Sequence, residues 1–206
     1  RLSCMQRKVR AASKSDREVI LDVCTAAFVT EPAFDHFFQG AYDPHAREFL
    51  AYLLDLRLAG GLVWVEEVDG RVVSASMWDP PGGATVPEEE QEAMWSTTTA
   101  KMPADAVDRL ANYDERVHKF GPSDDHYYLG VLASDPSVRG RGHGAAVLRP
   151  GLVAADAEGL MSFLETGTEG NLGFYARFGF EVTGELDLDD GTHVWCLTRP
   201  PGASLG

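Results

Sequence analysis

Little in this sequence favours an oxidised or metal-bound protein. The 206 residues contain three cysteines, Cys4, Cys24 and Cys196, odd in number and far apart. They form neither a disulfide framework nor a CxxC metal site, so they read as reduced thiols of a cytoplasmic protein. His36, His45, His118 and the other histidines lack ligand spacing, and no metal is expected. Basic charge is scarce too: 18 Lys+Arg stand against 32 Asp+Glu, a formal net charge of -14. That balance offers no sequence-wide footprint for nucleic acid and would repel an anionic membrane surface. It suits a cationic substrate, or serves solubility alone. No apolar run approaches the length of a transmembrane helix, and there is no repeat or low-complexity tract. RLSCMQRK has positive charge without an apolar core behind it, unlike a signal peptide. Residues 1–7 are expected to be a disordered leader, with Met5 as the real start.

What is present is an ordinary globular composition, 44% hydrophobic and 24% charged, in a length that fills one domain. Residues 8–13 read as a short strand. Val19, Val23, Ala26 and Ala27 then follow helical spacing behind Ser15 or Asp16 as cap. The aromatic stretch EPAFDHFFQGAYD (31–43) lies between two helices, the second running over 43–61 to a Gly60-Gly61 stop. Asp69-Gly70 and Asp190-Gly191 each turn a hairpin. An acidic helix start (80–94) and an amphipathic helix (106–121) lead to the strand HYYLGVLAS (126–134). A helix over 142–159 follows, where Pro150 should kink the axis or cost a hydrogen bond. The strand MSFLET (161–166) and a short helix ended by Gly179 come next. Strand–helix–strand in the middle requires a parallel crossover, whereas the hairpins are antiparallel. The expected fold is α/β (α+β), a single domain with a mixed sheet of about six to seven strands flanked by helices.

Between strand and helix lies VRGRGHGAA (138–146). Glycines there let successive N–H groups converge, and the helix N-terminus adds its positive dipole end, so diphosphate is the natural ligand. A P-loop fails for want of the lysine. Gly140-x-Gly142-x-x-Ala145 matches a dinucleotide fingerprint, with Glu165 about 20 residues on. However, SDPSV separates strand from glycines, and the chain has no second mononucleotide half. The third reading takes Arg139-x-x-Gly142-x-Gly144, with Pro136 and a strand ahead of it. On these residues the sequence resembles the GNAT superfamily of acyl-CoA-dependent N-acyltransferases, whose loop is Q/R-x-x-G-x-G/A. A purely structural glycine turn is the remaining alternative. FLETGTEGNLGFYARFGFEVT, VWCLTRPPGA and Leu148-Arg149-Pro150-Gly151 are similar to the puromycin N-acetyltransferase branch. The N-terminal half matches it poorly.

The resemblance implies that residues 8–206 form one acetyltransferase domain, with 8–120 on the acceptor side and 121–206 binding acetyl-CoA. The backbone N–H groups of Arg139, Gly140, Arg141, Gly142, His143, Gly144 and Ala145 would take the coenzyme A diphosphate, with the His143 side chain pointing outward. Leu132, Ala133 and Ser134 would lie at a bulge that splays two strands and frees backbone donors. Tyr175 matches the family's tyrosine in N-x-x-F-Y. Its phenol, near about 10, can protonate a departing thiolate of about 8.5. A core tyrosine is the alternative. Asn171 would cap that helix and reach the cofactor. The strand before the loop lacks the glutamate many relatives use as base. Glu165, in an apolar FLET context that raises its pKa, is the candidate instead. Glu31, Phe34 and Tyr128 are the candidate acceptor contacts, and Trp78 and Trp95 stand where they could line the same side. An ordinary ion pair is the alternative for both glutamates and the expected one for Glu31. The implied function is acetyl transfer to a primary amine of a small molecule, such as an aminonucleoside antibiotic, by a monomer or homodimer. The alternatives are a protein or peptide N-acetyltransferase and a non-catalytic acyl-CoA-binding module.

Overall fold

A computed structural model describes residues 6–60, 62–83 and 85–206. Cys4, Met5 and Gly61 lie outside them. Seven strands form one sheet in the order β1-β2-β3-β4-β5-β7-β6. They are β1 (Arg7–Ala11), β2 (Val63–Val68), β3 (Arg71–Asp79), β4 (His126–Ser134), β5 (Met161–Thr166), β6 (Glu181–Asp187) and β7 (His193–Arg199). Arg7, assigned above to the leader, already pairs with Val68 in β1. Seven helices flank the sheet: α1 (Arg17–Phe28), α2 (Pro32–Phe38), α3 (Tyr42–Ala59), α4 (Glu88–Thr99), α5 (Ala104–His118), α6 (His143–Glu158) and α7 (Leu172–Ala176). The protein is thus a single α/β domain with a mixed sheet. Among the described residues no helix is long and apolar enough to cross a membrane.

Most of these elements follow from local sequence, and α2 is the addition. The Glu31 carboxylate accepts the Ala33 N–H at 2.7 Å and Pro32 opens the helix, so the aromatic stretch folds as a capped helix of about two turns. Phe34, Phe37 and Phe38 point inward from it. Pro150 does not break α6. It has no N–H for the carbonyl one turn back, and the Ser76 hydroxyl donates at 2.7 Å to the adjacent Val147 carbonyl. Gly151 gives the Trp78 ring its place, since a Cβ there would lie 2.1 Å from the indole.

The centre of the sheet carries the feature that matters for function. β4 and β5, its one parallel pair, are joined through α6 and bonded only over His126–Tyr128 and Met161–Phe163. Beyond Tyr128 the strands part. The cause is a bulge: Trp78 of β3 faces Leu129 and Met77 faces Val131, which leaves Gly130 as the extra residue. One extra residue exchanges the faces of a strand. Tyr127 and Leu129 accordingly pack in the core beneath α6, and Val131 and Ala133 in the core beneath α1–α3. The bulge therefore lies two residues before the expected Leu132-Ala133-Ser134 segment, which forms the free edge after it.

Candidate active site

After β4 the chain makes a short turn capped by Asp135, whose Oδ1 accepts the Ser137 N–H at 2.9 Å. Gly140 and Gly142 follow in left-handed conformations, φ 77° and 82°, with Gly142 as the N-cap of α6. A Cβ on either would meet nothing within 4 Å, so the loop backbone faces open space. His143 does not point outward as expected. It is 3% exposed, and its Nδ1 lies 2.9 Å from Oε2 of Glu66, itself 1% exposed. The other Glu66 oxygen pairs with Arg7 Nε at 2.6 Å, and Arg7 Nη1 donates to the Arg141 carbonyl at 3.3 Å. The edge of the sheet thus holds the loop from behind through a carboxylate 77 residues away. Ser134 Oγ is hydrogen-bonded to Ser74 Oγ at 2.8 Å, and Ser74 Oγ in turn donates to the Ala133 carbonyl.

The loop opens onto a groove of about 730 Å³. Of the candidate cofactor contacts, Leu132, Ser134, Arg139, Gly140, Gly142, His143, Gly144, Ala145 and Asn171 line it, and Tyr175 joins them. Ala133 faces the core and Arg141 is not among the lining residues. Four arginines, Arg7, Arg139, Arg149 and Arg177, border the groove, and no carboxylate does. In a chain of net charge -14 this is a concentrated anion site. Open glycine backbone at a helix N-terminus with arginines around it fits a phosphate-bearing cofactor.

A second cavity of about 710 Å³ lies across the gap, among α2–α5 and the parting ends of β4 and β5. Glu31, Phe34, Tyr128 and Glu165 all line it, with Phe37, Tyr52, Trp95 and Tyr113. Its charge is opposite to that of the groove. Glu31, Glu88, Glu92, Asp114, Glu115 and Glu165 border it, and its one arginine, Arg57, is tied to Asp79 at 2.6 Å. Trp78, expected on this side, is fully buried against α6 instead.

Glu165 has the chemistry of a titratable base. Oε1 accepts the Tyr128 hydroxyl at 2.8 Å, and Oε2 is shielded without any partner. Burial lifts the carboxyl from 4.5 to about 7, against the opposing pull of the Tyr128 hydrogen bond and of His118 and Arg57. His118 is raised to about 9, chiefly by its hydrogen bond with Asp114. Glu31 is not in the expected ion pair. Its carboxylate caps α2 and also accepts the Gly167 N–H at 3.2 Å, and burial raises it despite these donors. Asn171 occupies the N-cap position of α7 but makes no side-chain cap bond; its amide donates to Thr166 Oγ1 at 3.1 Å. Arg57, Gly130, Asp114 and His118 escaped sequence reasoning. Only Gly130 left a trace there, as a lone glycine within a strand pattern.

Groove and cavity meet at Asn171, which lines both. Tyr175, 7% exposed on α7, stands on the groove side, and burial pushes its phenol well above 10. A glycine loop after a splayed parallel pair, with an arginine-bordered groove on one side and an acidic cavity on the other, defines an acyltransferase fold. The model of the Acetyltransferase (GNAT) family matches residues 25–180, and the chain belongs to that family. Among solved structures it is similar to a Corynebacterium glutamicum protein, "histone acetyltransferase HPA2 and related acetyltransferase". The two share 25% identity, with 96% of this chain and 98% of that one covered and a TM-score of 0.66. A Drosophila melanogaster polyamine N-acetyltransferase that forms N-acetylagmatine shares the fold at 16% identity, 95% and 100% coverage and TM-score 0.66. The ribosomal-protein-S18-alanine N-acetyltransferase of Escherichia coli does so at 12% identity, 98% and 96% coverage and TM-score 0.55.

Proposed function

We propose that this acetyltransferase moves the acetyl group of acetyl-CoA to a primary amine of a small cationic molecule with an aromatic or amphipathic body. The observation that carries the reading is the pair of oppositely charged cavities joined at Asn171. The backbone from Arg139 to Ala145 holds the diphosphate, and the free edge of β4 offers the N–H groups of Leu132 and Ser134, on either side of Ala133, to the pantetheine arm and acyl oxygen. When bound, acetyl-CoA supplies a thioester activated toward direct attack. Six carboxylates draw a cationic amine into the second cavity, whose aromatic walls take its body. Glu165, about half ionised near neutral pH, removes the ammonium proton so that the nitrogen can attack. Tyr175 stays protonated and donates to the leaving thiolate.

Cavity volume supports a small acceptor over a peptide, because about 710 Å³ is the size of an ordinary small-molecule site. An aminonucleoside such as puromycin falls in this class, which would make the enzyme an antibiotic-resistance protein. The agmatine and polyamine of the Drosophila neighbour, also cations, suit the acidic lining. Cys24 and Cys196 are free, buried thiols, in keeping with a reducing cytoplasm. Thiol release from acetyl-CoA across a panel of puromycin, polyamines and arylalkylamines tests the reading, with calorimetry of coenzyme A alongside. Saturable turnover of at least one of these amines is expected. Binding of coenzyme A without turnover of any would point to an acyl-CoA-binding module.

A further inference from the structure

The transfer requires a path by which the acceptor ammonium loses a proton, and the surroundings of Glu165 restrict that path. Glu165 borders the acceptor cavity, yet Oε2 is sealed and Oε1 is occupied by the Tyr128 hydroxyl. Tyr128 lines the same cavity. Its hydroxyl spends its only proton on Glu165, so the oxygen keeps lone pairs to accept another. The ring is held on several sides. Phe163 stacks at 5.9 Å, His118 meets it edge-on at 5.0 Å, and the Arg57 guanidinium lies 6.0 Å over it. Arg57 is itself fixed by Asp79 and by Gly130, where a Cβ would come within 2.6 Å of its Nη2.

We propose that Tyr128 is a catalytic proton relay, its hydroxyl taking the proton of the acceptor ammonium as it passes its own to Glu165. This rests on the acetyltransferase reading above. In the step the ammonium N–H bond breaks and a new O–H bond forms at Tyr128 Oη. The former Oη–H bond breaks, and that proton ends on Glu165 Oε1. The acceptor becomes a neutral amine, Glu165 a carboxylic acid, and Tyr128 is unchanged. The two transfers occur together, because burial and the adjacent Glu165 charge push the Tyr128 phenol far above 10 and forbid a free phenolate.

The groups facing Glu165 are Tyr128 from β4, Arg57 from α3, Tyr113, Asp114 and His118 from α5, and Cys196 from β7. Tyr175 on α7 also feels the Glu165 charge, and Glu31 before α2 borders the same cavity. Arg57 and His118 favour the carboxylate, and Asp114 opposes it. Removing the Tyr128 hydroxyl takes away one more favourable partner, so the Glu165 titration should move upward.

The test uses the full chain, acetyl-CoA and an amine that the panel shows to be turned over. Tyr128→Phe should lower kcat at least tenfold and shift the acid limb of its pH profile upward. Glu165→Gln should lose a comparable amount, and the double variant should be no worse than the poorer single, as expected of residues acting as a unit. Full kcat in Tyr128→Phe, or losses that multiply, would overturn the relay. Should no amine be turned over, the acetyltransferase reading itself fails. The relay is then decided by carboxyl-carbon NMR. Glu165 should titrate near 7 in the parent and higher in Tyr128→Phe. A titration near 4.5, or one that Tyr128→Phe leaves in place, overturns it.

Discussion

Replacing Glu165 by glutamine should stabilise this protein at alkaline pH while removing the proposed base. A carboxyl that titrates near 4.5 in the unfolded chain and about 7 in the fold binds its proton more tightly when folded. Between those pH values the native state holds more protons than the unfolded one, so stability falls as pH rises through the window. At about 1.36 kcal/mol for each tenfold change, the ionised group costs the fold about 3 kcal/mol at pH 8 and almost nothing at pH 4.5. Glutamine carries no such cost. It keeps an oxygen for the Tyr128 hydroxyl, but its NH₂ falls where Oε2 now has no partner. A buried unpaired donor costs about 1–3 kcal/mol at every pH, so the informative quantity is the change in the variant's advantage between two pH values. For a chain of this length about 3 kcal/mol corresponds to roughly 6–12 °C in Tm. Paired thermal melts of parent and Glu165→Gln at pH 4.5 and pH 8 measure it. Relative to the parent, the variant should gain that amount on going from pH 4.5 to 8. An identical difference in Tm at both pH values would show that Glu165 titrates normally and that the pH argument for its role as base is wrong.

Tyr175→Phe should cut turnover tenfold or more and leave coenzyme A affinity nearly unchanged, since in the proposed reaction the phenol acts on the leaving thiolate; undiminished turnover in a thiol-release assay would remove it as the acid. Gly142→Val places a side chain in the open groove at φ 82° and should abolish coenzyme A binding in a protein that still folds. Calorimetry showing parental affinity would refute the loop assignment. Gly130→Ala drives a Cβ to 2.6 Å from the pinned Arg57 guanidinium and should cost about 1–3 kcal/mol by overpacking. Its activity should fall as well, because Arg57 backs Tyr128. A melt that matches the parent would mean that the guanidinium moves aside freely.

The strands, both hairpin turns and the loop were legible because each is encoded locally. Apolar runs give β4 and β5, Asp69-Gly70 and Asp190-Gly191 supply turn backbones, and Gly140 and Gly142 precede α6. Glu165 was legible for the same reason, an acid amid apolar neighbours on a buried strand. What escaped is non-local. His143 was expected to point outward between two glycines, and only the sheet brings Glu66 beneath it. The seven residues of α2 are too few to show a helical period through three phenylalanines and a histidine. Trp78 and Trp95 look equivalent along the chain, but one faces α6 and the other the acceptor cavity. The family resemblance puts the bulge at Leu132–Ser134, and the apolar pattern of HYYLGVLAS gives no sign that Gly130, two residues earlier, exchanges the faces.

On the proposed function, that bulge also explains how an acidic chain would bring an anionic cofactor and a cationic amine within reach of each other. Without an extra residue, β4 would stay bonded to β5 along its length, and the sheet would separate the two ligands. With Gly130 inserted, the strands part after Tyr128, and the gap joins a face bordered by four arginines to one bordered by six carboxylates. The net charge of -14 describes neither face. Field at a site is set by the nearest charges, since more distant exposed ones are screened within about 8–10 Å in physiological salt. In the proposed reaction, opposite local fields would hold each reactant on its own side, with Glu165 and Tyr128 lining one cavity, Tyr175 the other and Asn171 both.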